Sequence, residues 1–235
     1  GIGTDQFAWY WIDEPGDEKW NEVYLPASRM LKKVDRNMLV WADPTPNATA
    51  ESLEAGLDCV DMICPSLGNV TRKGGSDLFL RTKLPSWMYV CASEKNASPF
   101  GYYRWFSWKT WDYGLQGIGM WVYTDSRATT FSDYTTGVSY AMVYGGKEGM
   151  IGSKRWDSWR QGIADYEYLQ MLTDAVTEAK AAGRAPEAIA RAEVILTDGV
   201  AEVIGDQPYL GPPEGWKAAD RIRVEILQCL VDLRG

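Results

Sequence analysis

The stretch Phe7-Ala8-Trp9-Tyr10-Trp11-Ile12-Asp13-Glu14-Pro15 decides how the rest of the chain reads. Five large apolar residues and no charge fall between positions 7 and 12, the composition of a strand buried on both faces, as parallel sheets of α/β proteins require. Pro15 has no N–H to donate, so pairing should stop there and leave two adjacent carboxylates, Asp13 and Glu14, at the C-terminal end of the strand. In an α/β barrel that end is the catalytic mouth. Two acids beside Trp and Tyr at such a place suit acid/base work on a sugar. A solvated Asp-Glu turn is the bland alternative; the strand-end context and the preceding aromatics favour the functional one. Side chains alternate along a strand, so the two carboxylates share a pocket only if the backbone turns at Pro15-Gly16.

The same pattern recurs downstream. Residues 18–34 place Trp20, Val23, Tyr24, Ala27, Met30, Leu31 and Val34 at helical spacing, and a second apolar run over 38–42 stops at Asp43-Pro44. A short helix opens at Thr49. Further strands are expected over 59–64, ending at Pro65-Ser66, over 86–92, ending at Ser93-Glu94, and over 117–123, ending at Thr124-Asp125. Strands alternating with helical stretches at intervals of roughly 20 to 30 residues indicate βα units and a parallel sheet. About five units are visible before the pattern changes near residue 140, whereas a closed (β/α)₈ barrel needs eight. The expected fold is therefore α/β, a partial (β/α)₈ TIM-type barrel made of its last five units, with the first three upstream in a missing N-terminal part of the same polypeptide. Residues 1–152 would form this part of the barrel and 153–235 a helical region packed on it. That region should hold one long amphipathic helix, with Trp156, Trp159, Ile163, Tyr166, Leu169, Leu172 and Val176 on one face and an end near Gly183, then helices over 188–204 and 218–233.

Composition narrows the chemistry. The 235 residues carry a net charge of −8, which argues against a nucleic-acid backbone or an anionic membrane surface as partner. No apolar run approaches the roughly 20 residues that span a bilayer. There is no histidine, so Ser-His-Asp and Cys-His catalysis and the commonest zinc sites are excluded together. Acid/base work must fall to carboxylates, tyrosines or lysines. The cysteines Cys59, Cys64, Cys91 and Cys229 fit neither a CxxC metal pattern nor a disulfide framework and read as buried thiols; no metal and no cofactor is expected. Asn-x-Ser/Thr sequences at Asn47, Asn69 and Asn96 are compatible with a secreted or periplasmic protein.

Candidate ligand-contacting residues follow from the strand ends. Asp43, Glu94 and Asp125 terminate later strands, where a barrel would bring them to the mouth that holds Asp13 and Glu14. Each is also a possible helix cap. Aromatic rings pack on the apolar faces of pyranoses, and with 12 Trp the chain is rich in them; Trp41, Tyr89, Trp121 and Tyr123 lie in or at the ends of the same strands. Tyr103 and Arg104, just beyond the fourth strand, are further candidates. Trp105, Trp108 and Trp111 recur every three residues and read as helix packing.

Several strings together resemble a known family: Trp11-Ile12-Asp13-Glu14-Pro15; Arg104-Trp105 with Trp108-Lys109-x-Trp111-x-x-Gly114; Gly119-Met120-Trp121-x-Tyr123; and Ser153-x-Arg155-Trp156-x-x-Trp159-Arg160-x-Gly162-Ile163-x-Asp165-Tyr166-Glu167-Tyr168-Leu169. Over residues 7 to about 175 the chain resembles the C-terminal part of the catalytic domain of glycoside hydrolase family 123 and its relatives in domain-of-unknown-function family 4091. The resemblance implies a (β/α)₈ enzyme that acts on terminal N-acetyl-β-galactosaminides by substrate-assisted retention, in which the substrate's 2-acetamido oxygen attacks the anomeric carbon. It implies further that Asp13 orients the acetamido group and that Glu14 is the general acid/base. The implied partner is a glycan or glycoconjugate.

Two other readings stay open on the residues. One is a two-carboxylate retaining glycosidase with Glu14 as acid/base and Glu94 as nucleophile, which needs the carboxyls about 5 to 5.5 Å apart. The other is a non-catalytic carbohydrate-binding or structural domain that keeps the aromatic cleft and lacks a competent acid.

Overall fold

The structure, a computed structural model, describes residues 3–44, 48–72, 75–91, 98–124 and 140–234. The chain divides into two compact units, the first comprising residues 1–91 and 113–120 and the second residues 92–112 and 121–235.

The first unit is a mixed α/β layer. Strand β1 (Ala8–Trp9) leads through the Asp-Glu turn into helix α1 (17–34), which passes through a π-turn over Trp20–Tyr24. Trp20 and Tyr24, four residues apart, stack with ring centroids 5.0 Å apart and are fully buried. Their polar ends are satisfied: Trp20 Nε1 donates to the Ser52 carbonyl at 2.6 Å and the Tyr24 hydroxyl to the carbonyl of Trp41. Two large rings can be buried at that spacing because each brings a donor to a backbone acceptor of the layer it covers. Strand β2 (Leu39–Ala42) follows, then helix α2 (Ala50–Glu54), capped by the Thr49 hydroxyl on the N–H of Ser52, and strand β3 (Met62–Ile63). Helices α3 (Leu67–Thr71) and α4 (Gly75–Thr82) precede strand β4 (Trp87–Val90), and strand β5 (Gly117–Met120) completes the unit.

All of these strand pairings are parallel. β1 pairs with β2 (Ala8↔Leu39), β2 with β3 (Trp41↔Met62) and β4 with β5 (Trp87↔Gly117). The bridges Ile63↔Ser86 and Ser66↔Tyr89, also parallel, lie between the three-stranded and the two-stranded sheet. The strands thus follow one another in chain order, as expected, and each is shorter than its apolar run suggests. No closed barrel forms among the described residues.

One expectation is overturned at β1. The run 7–12 is not buried on both faces: Phe7, Trp9, Tyr10 and Trp11 are each 37–42 % exposed. β1 is an edge strand that pairs with β2 alone among the described residues. Its odd-numbered rings cover one another instead, Trp11 stacked on Trp9 at 5.4 Å and Phe7 edge-on to Trp9 at 5.7 Å. A continuous apolar run does not by itself imply a covering layer, because aromatic rings on one face of an edge strand can partly cover one another.

The second unit contains a hairpin and helices. Strands β6 (Val143–Gly146) and β7 (Gly149–Gly152) pair antiparallel. Four glycines in eight strand positions hide this hairpin from any propensity argument. Helix α5 (99–112) begins with a π-turn over Pro99–Arg104. Helix α6 (Lys154–Ala181) starts where expected, its Ser153 hydroxyl accepting from the N–H groups of Arg155 and Trp156. Helices α7 (186–204, with a π-turn over Ile195–Gly199) and α8 (Gly215–Arg234) follow.

The buried face of α6 differs from the expected one. Trp159, Leu169, Leu172 and Val176 are inside, but Ile163 is 40 % exposed while Gly162 and Asp165 are buried. The reason is the closeness of α5. A Cβ at position 162 would lie 2.7 Å from Ser107 Oγ and 2.9 and 3.0 Å from the backbone oxygen and Cα of Arg104. Gly162→Ala should therefore cost about 1–3 kcal/mol in chemical denaturation, because backbone has to move to admit the methyl group. An unchanged midpoint would contradict this approach of the two helices.

Candidate active site

The site begins with the backbone of Glu14. It lies in the left-handed region (φ 49°), rare for a residue with a side chain and outside the extended region favoured before proline. Such strain persists where surrounding contacts fix it, and it concentrates at functional positions. Here Asp43, one residue past the end of β2, accepts the Glu14 N–H on Oδ1 at 3.2 Å, and Pro15 is buried beneath. The turn breaks the alternation of β1.

Each of the two carboxylates has a tyrosine. The Tyr10 hydroxyl lies 2.6 Å from Asp13 Oδ1, and the Tyr89 hydroxyl, from β4, donates to Glu14 Oε1 at 2.5 Å. Tyr10 is also 2.7 Å from Asp43 Oδ2 and packs edge-on against the Trp41 ring at 4.8 Å. Burial, reinforced by the acids they face, pushes both phenols far above the ordinary tyrosine value, so both remain protonated donors. Burial also raises Asp43 to about 6, against the opposing effect of its bonds from Tyr10 and the Glu14 N–H. Asp13 and Glu14 themselves are exposed. The position of Tyr89 is set partly by β5, where a Cβ at Gly119 would come within 3.1 Å of the Tyr89 Cβ.

Five of the residues expected to meet ligand are thus gathered in the first unit: Asp13, Glu14, Trp41, Asp43 and Tyr89. They come from the ends of β1 and β2 and from β4. Tyr103 and Arg104 belong to the second unit. Both are interior residues of the second unit, Tyr103 fully buried and Arg104 3 % exposed, with its Nε 2.6 Å from Asp165 Oδ2 and its Nη1 2.6 Å from Asp220 Oδ1. Two carboxylates thus hold the Arg104 guanidinium, while its Nη2 and the Tyr103 hydroxyl are buried with no hydrogen-bond partner among the described residues. Trp121 and Tyr123, also in the second unit, are exposed, with Tyr123 edge-on to Trp156 at 5.2 Å. Glu94 and Asp125 lie outside the described residues, as do the Asn47 and Asn96 sequons; Asn69 is fully buried.

Tyr10 is the site residue that sequence reasoning missed. Strict alternation sets positions 10 and 13 on opposite faces of a strand; they meet because β1 ends at Trp9 and the chain bends from Ile12 onward. Among the described residues no group of His, Cys, Asp and Glu is arranged to hold a metal, and no helix is long and apolar enough to cross a membrane.

Two neighbouring, solvent-accessible carboxylates, each oriented by a phenol, on a turn that ends a parallel strand, are equipped to move protons and to steady positive charge on a ligand. The family model for the glycoside hydrolase 123 catalytic domain matches residues 5–172, most of the chain, with Tyr10, Asp13, Glu14, Trp41, Asp43 and Tyr89 inside the match. The chain belongs to this family and is a glycoside hydrolase domain whose substrate is carbohydrate. A search of curated proteins gives no match.

Proposed function

We propose that the protein cleaves terminal N-acetyl-β-hexosaminides, N-acetylgalactosaminides foremost, by substrate-assisted retaining catalysis. The observation that carries this reading is the pair Asp13 and Glu14, adjacent in sequence, both exposed and each held by its own tyrosine hydroxyl. In the first step the acetamido oxygen attacks the anomeric carbon as the glycosidic C–O bond breaks. Glu14 gives its proton to the leaving oxygen, and Asp13 accepts the amide N–H, which grows more acidic as the ring closes. In the second step Glu14 takes a proton from water, which opens the oxazoline from the face that the aglycone left. The two inversions give net retention. Trp41 supplies apolar surface beside the acids, its ring packed against that of Tyr10. The chain order of the five parallel strands, with acids at the ends of the first two, supports a wall of a (β/α)₈ barrel.

Hydrolysis of paired aryl glycosides tests the proposal. Aryl N-acetyl-β-galactosaminide should be cleaved at least about 10²-fold faster than the corresponding 2-hydroxy galactoside, since only the former carries its nucleophile in place. A thiazoline mimic of the cyclised intermediate should compete with it. Equal rates for the two sugars, with a 2-fluoro sugar trapping a covalent adduct on Glu94, would move the assignment to two-carboxylate catalysis. Glycan binding without cleavage of either would leave a non-catalytic domain.

A further inference from the structure

The phenol of Tyr10 has one proton and two carboxylate neighbours, Asp13 Oδ1 at 2.6 Å and Asp43 Oδ2 at 2.7 Å. If both acids are ionised, one of these short contacts sets two oxygen lone pairs against each other with no hydrogen between them. Tyr10 cannot relieve this by losing its own proton, which would add a third charge. The geometry therefore requires one more proton among the three groups, and the surroundings decide which group holds it. Asp43 is 6 % exposed, while Asp13 faces water. The titratable groups around Asp43 are Tyr10 and Asp13 from β1 and the turn after it, Glu14 with its N–H, Tyr24 from α1, Cys64 just past β3 and Tyr89 from β4. There is no lysine or arginine among these groups to hold an anion in place.

We propose that Asp43 is held as the neutral carboxylic acid and acts as a positioning residue, donating from Oδ2 to Tyr10, which in turn donates to Asp13, so that the single negative charge of the trio rests on Asp13. Protons balance: two are present, one on Asp43 and one on Tyr10, and each lies in one of the two short contacts. Asp43 Oδ1 stays free to accept the Glu14 N–H. One buried acid thus fixes both members of the pair, Asp13 through the Tyr10 phenol and Glu14 through its backbone. A phenol that accepts a hydrogen bond is a stronger donor, so the protonated string holds Asp13 by Oδ1 and leaves Oδ2 for the substrate. The raised affinity of Asp43 for its proton, to about 6, agrees in sign. As pH rises through that value Asp43 ionises, Tyr10 has to abandon one acid, and the orientation of Asp13 is lost. The functional half of this inference rests on the glycosidase reading, and the location of the proton does not.

Two readouts test it. Carboxyl-carbon NMR of the wild-type protein, with the Asp43 resonance assigned by its absence from Asp43→Asn, should show Asp43 titrating near 6. The pH profile of kcat/KM on an aryl N-acetyl-β-hexosaminide whose leaving group needs no protonation should fall on the alkaline side near the same pH. Asp43→Asn offers an amide N–H to Tyr10 and a carbonyl to Glu14 and cannot ionise. It should keep activity at pH 5 within about threefold and shift that alkaline limb upward by at least one pH unit, while Asp43→Ala, which has neither group, loses at least about tenfold at pH 5. An Asp43 resonance that titrates at the ordinary carboxylate value near 4 would overturn the proposal. So would an Asp43→Asn enzyme as impaired at pH 5 as Asp43→Ala, with its limb unmoved. If no glycoside is cleaved but Asp43 titrates near 6, the proton assignment stands and the glycosidase reading falls.

Discussion

Glu14→Ala should lower kcat/KM by about 10² to 10⁴ on an aryl N-acetyl-β-hexosaminide with a poor leaving group, the span usual for removal of a general acid. Most of that loss should vanish for a leaving group that departs without protonation, because the first bond-breaking step then needs no acid. Asp13→Asn should behave differently. Its amide still fills the place beside Tyr10 but bears no charge to steady the acetamido N–H as the ring closes, so good and poor leaving groups should slow alike. Steady-state kinetics on two aryl glycosides per variant decide the matter. If Glu14→Ala is equally slow on both substrates and Asp13→Asn is slow only on the poor one, the two roles are exchanged.

The second large effect is on stability. Asp165 is buried in the second unit, where its Oδ2 accepts from Arg104 Nε at 2.6 Å and from Trp108 Nε1 at 2.8 Å, and its Oδ1 from Arg223 Nε at 2.6 Å. Arg104 is itself buried, and its other ion-pair partner, Asp220, is more than half exposed. Removal of one member of a buried ion pair leaves the partner's charge uncompensated and typically costs 3–5 kcal/mol. Asp165→Ala should do at least that, since two guanidinium groups and an indole N–H lose an acceptor together. Against a domain stability of about 5–15 kcal/mol such a loss is a large share of the total, and at the low end of that range it leaves much of the population unfolded. Urea denaturation checks it. A loss below about 1 kcal/mol would show that water or Asp220 replaces the missing carboxylate and that the cluster is not what holds α5 to α6.

The sequence carries the Asp13-Glu14 pair because its signal is local. An aromatic run that ends in Asp13-Glu14-Pro15 needs no tertiary information to be read as a strand that stops at two acids. Asp43 and Tyr89 are legible for the same reason, each following from a short apolar run and its terminator. Tyr10 is not, since its partnership with Asp13 and Asp43 depends on β1 ending at Trp9 and the chain bending from Ile12, well before the proline that marks the end of the apolar run. The ion pairs of Arg104 are not legible either: its partners Asp165 and Asp220 lie 61 and 116 residues away, and nothing in the aromatic segment it opens points to them. The exposure of Ile163 and the burial of Gly162 likewise depend on how closely α5 approaches α6. Apolar periodicity gives a helix its approximate face. A glycine at the contact rotates that face toward itself.

The central claim is that the substrate's own acetamido group, steadied by Asp13, is the nucleophile. It is tested most directly by kcat/KM for a series of aryl 2-deoxy-2-acylamido-β-galactosides in which the acyl group is acetyl, monofluoroacetyl, difluoroacetyl and trifluoroacetyl. Fluorine draws electrons from the carbonyl oxygen with little change in size. An oxygen that attacks carbon in the rate-determining step should slow with each fluorine, giving a steep negative slope of log kcat/KM against the inductive constant of the acyl group and a loss of at least about 10² across the series. A flat series would contradict the account, because the nucleophile would then belong to the protein or to water and not to the sugar.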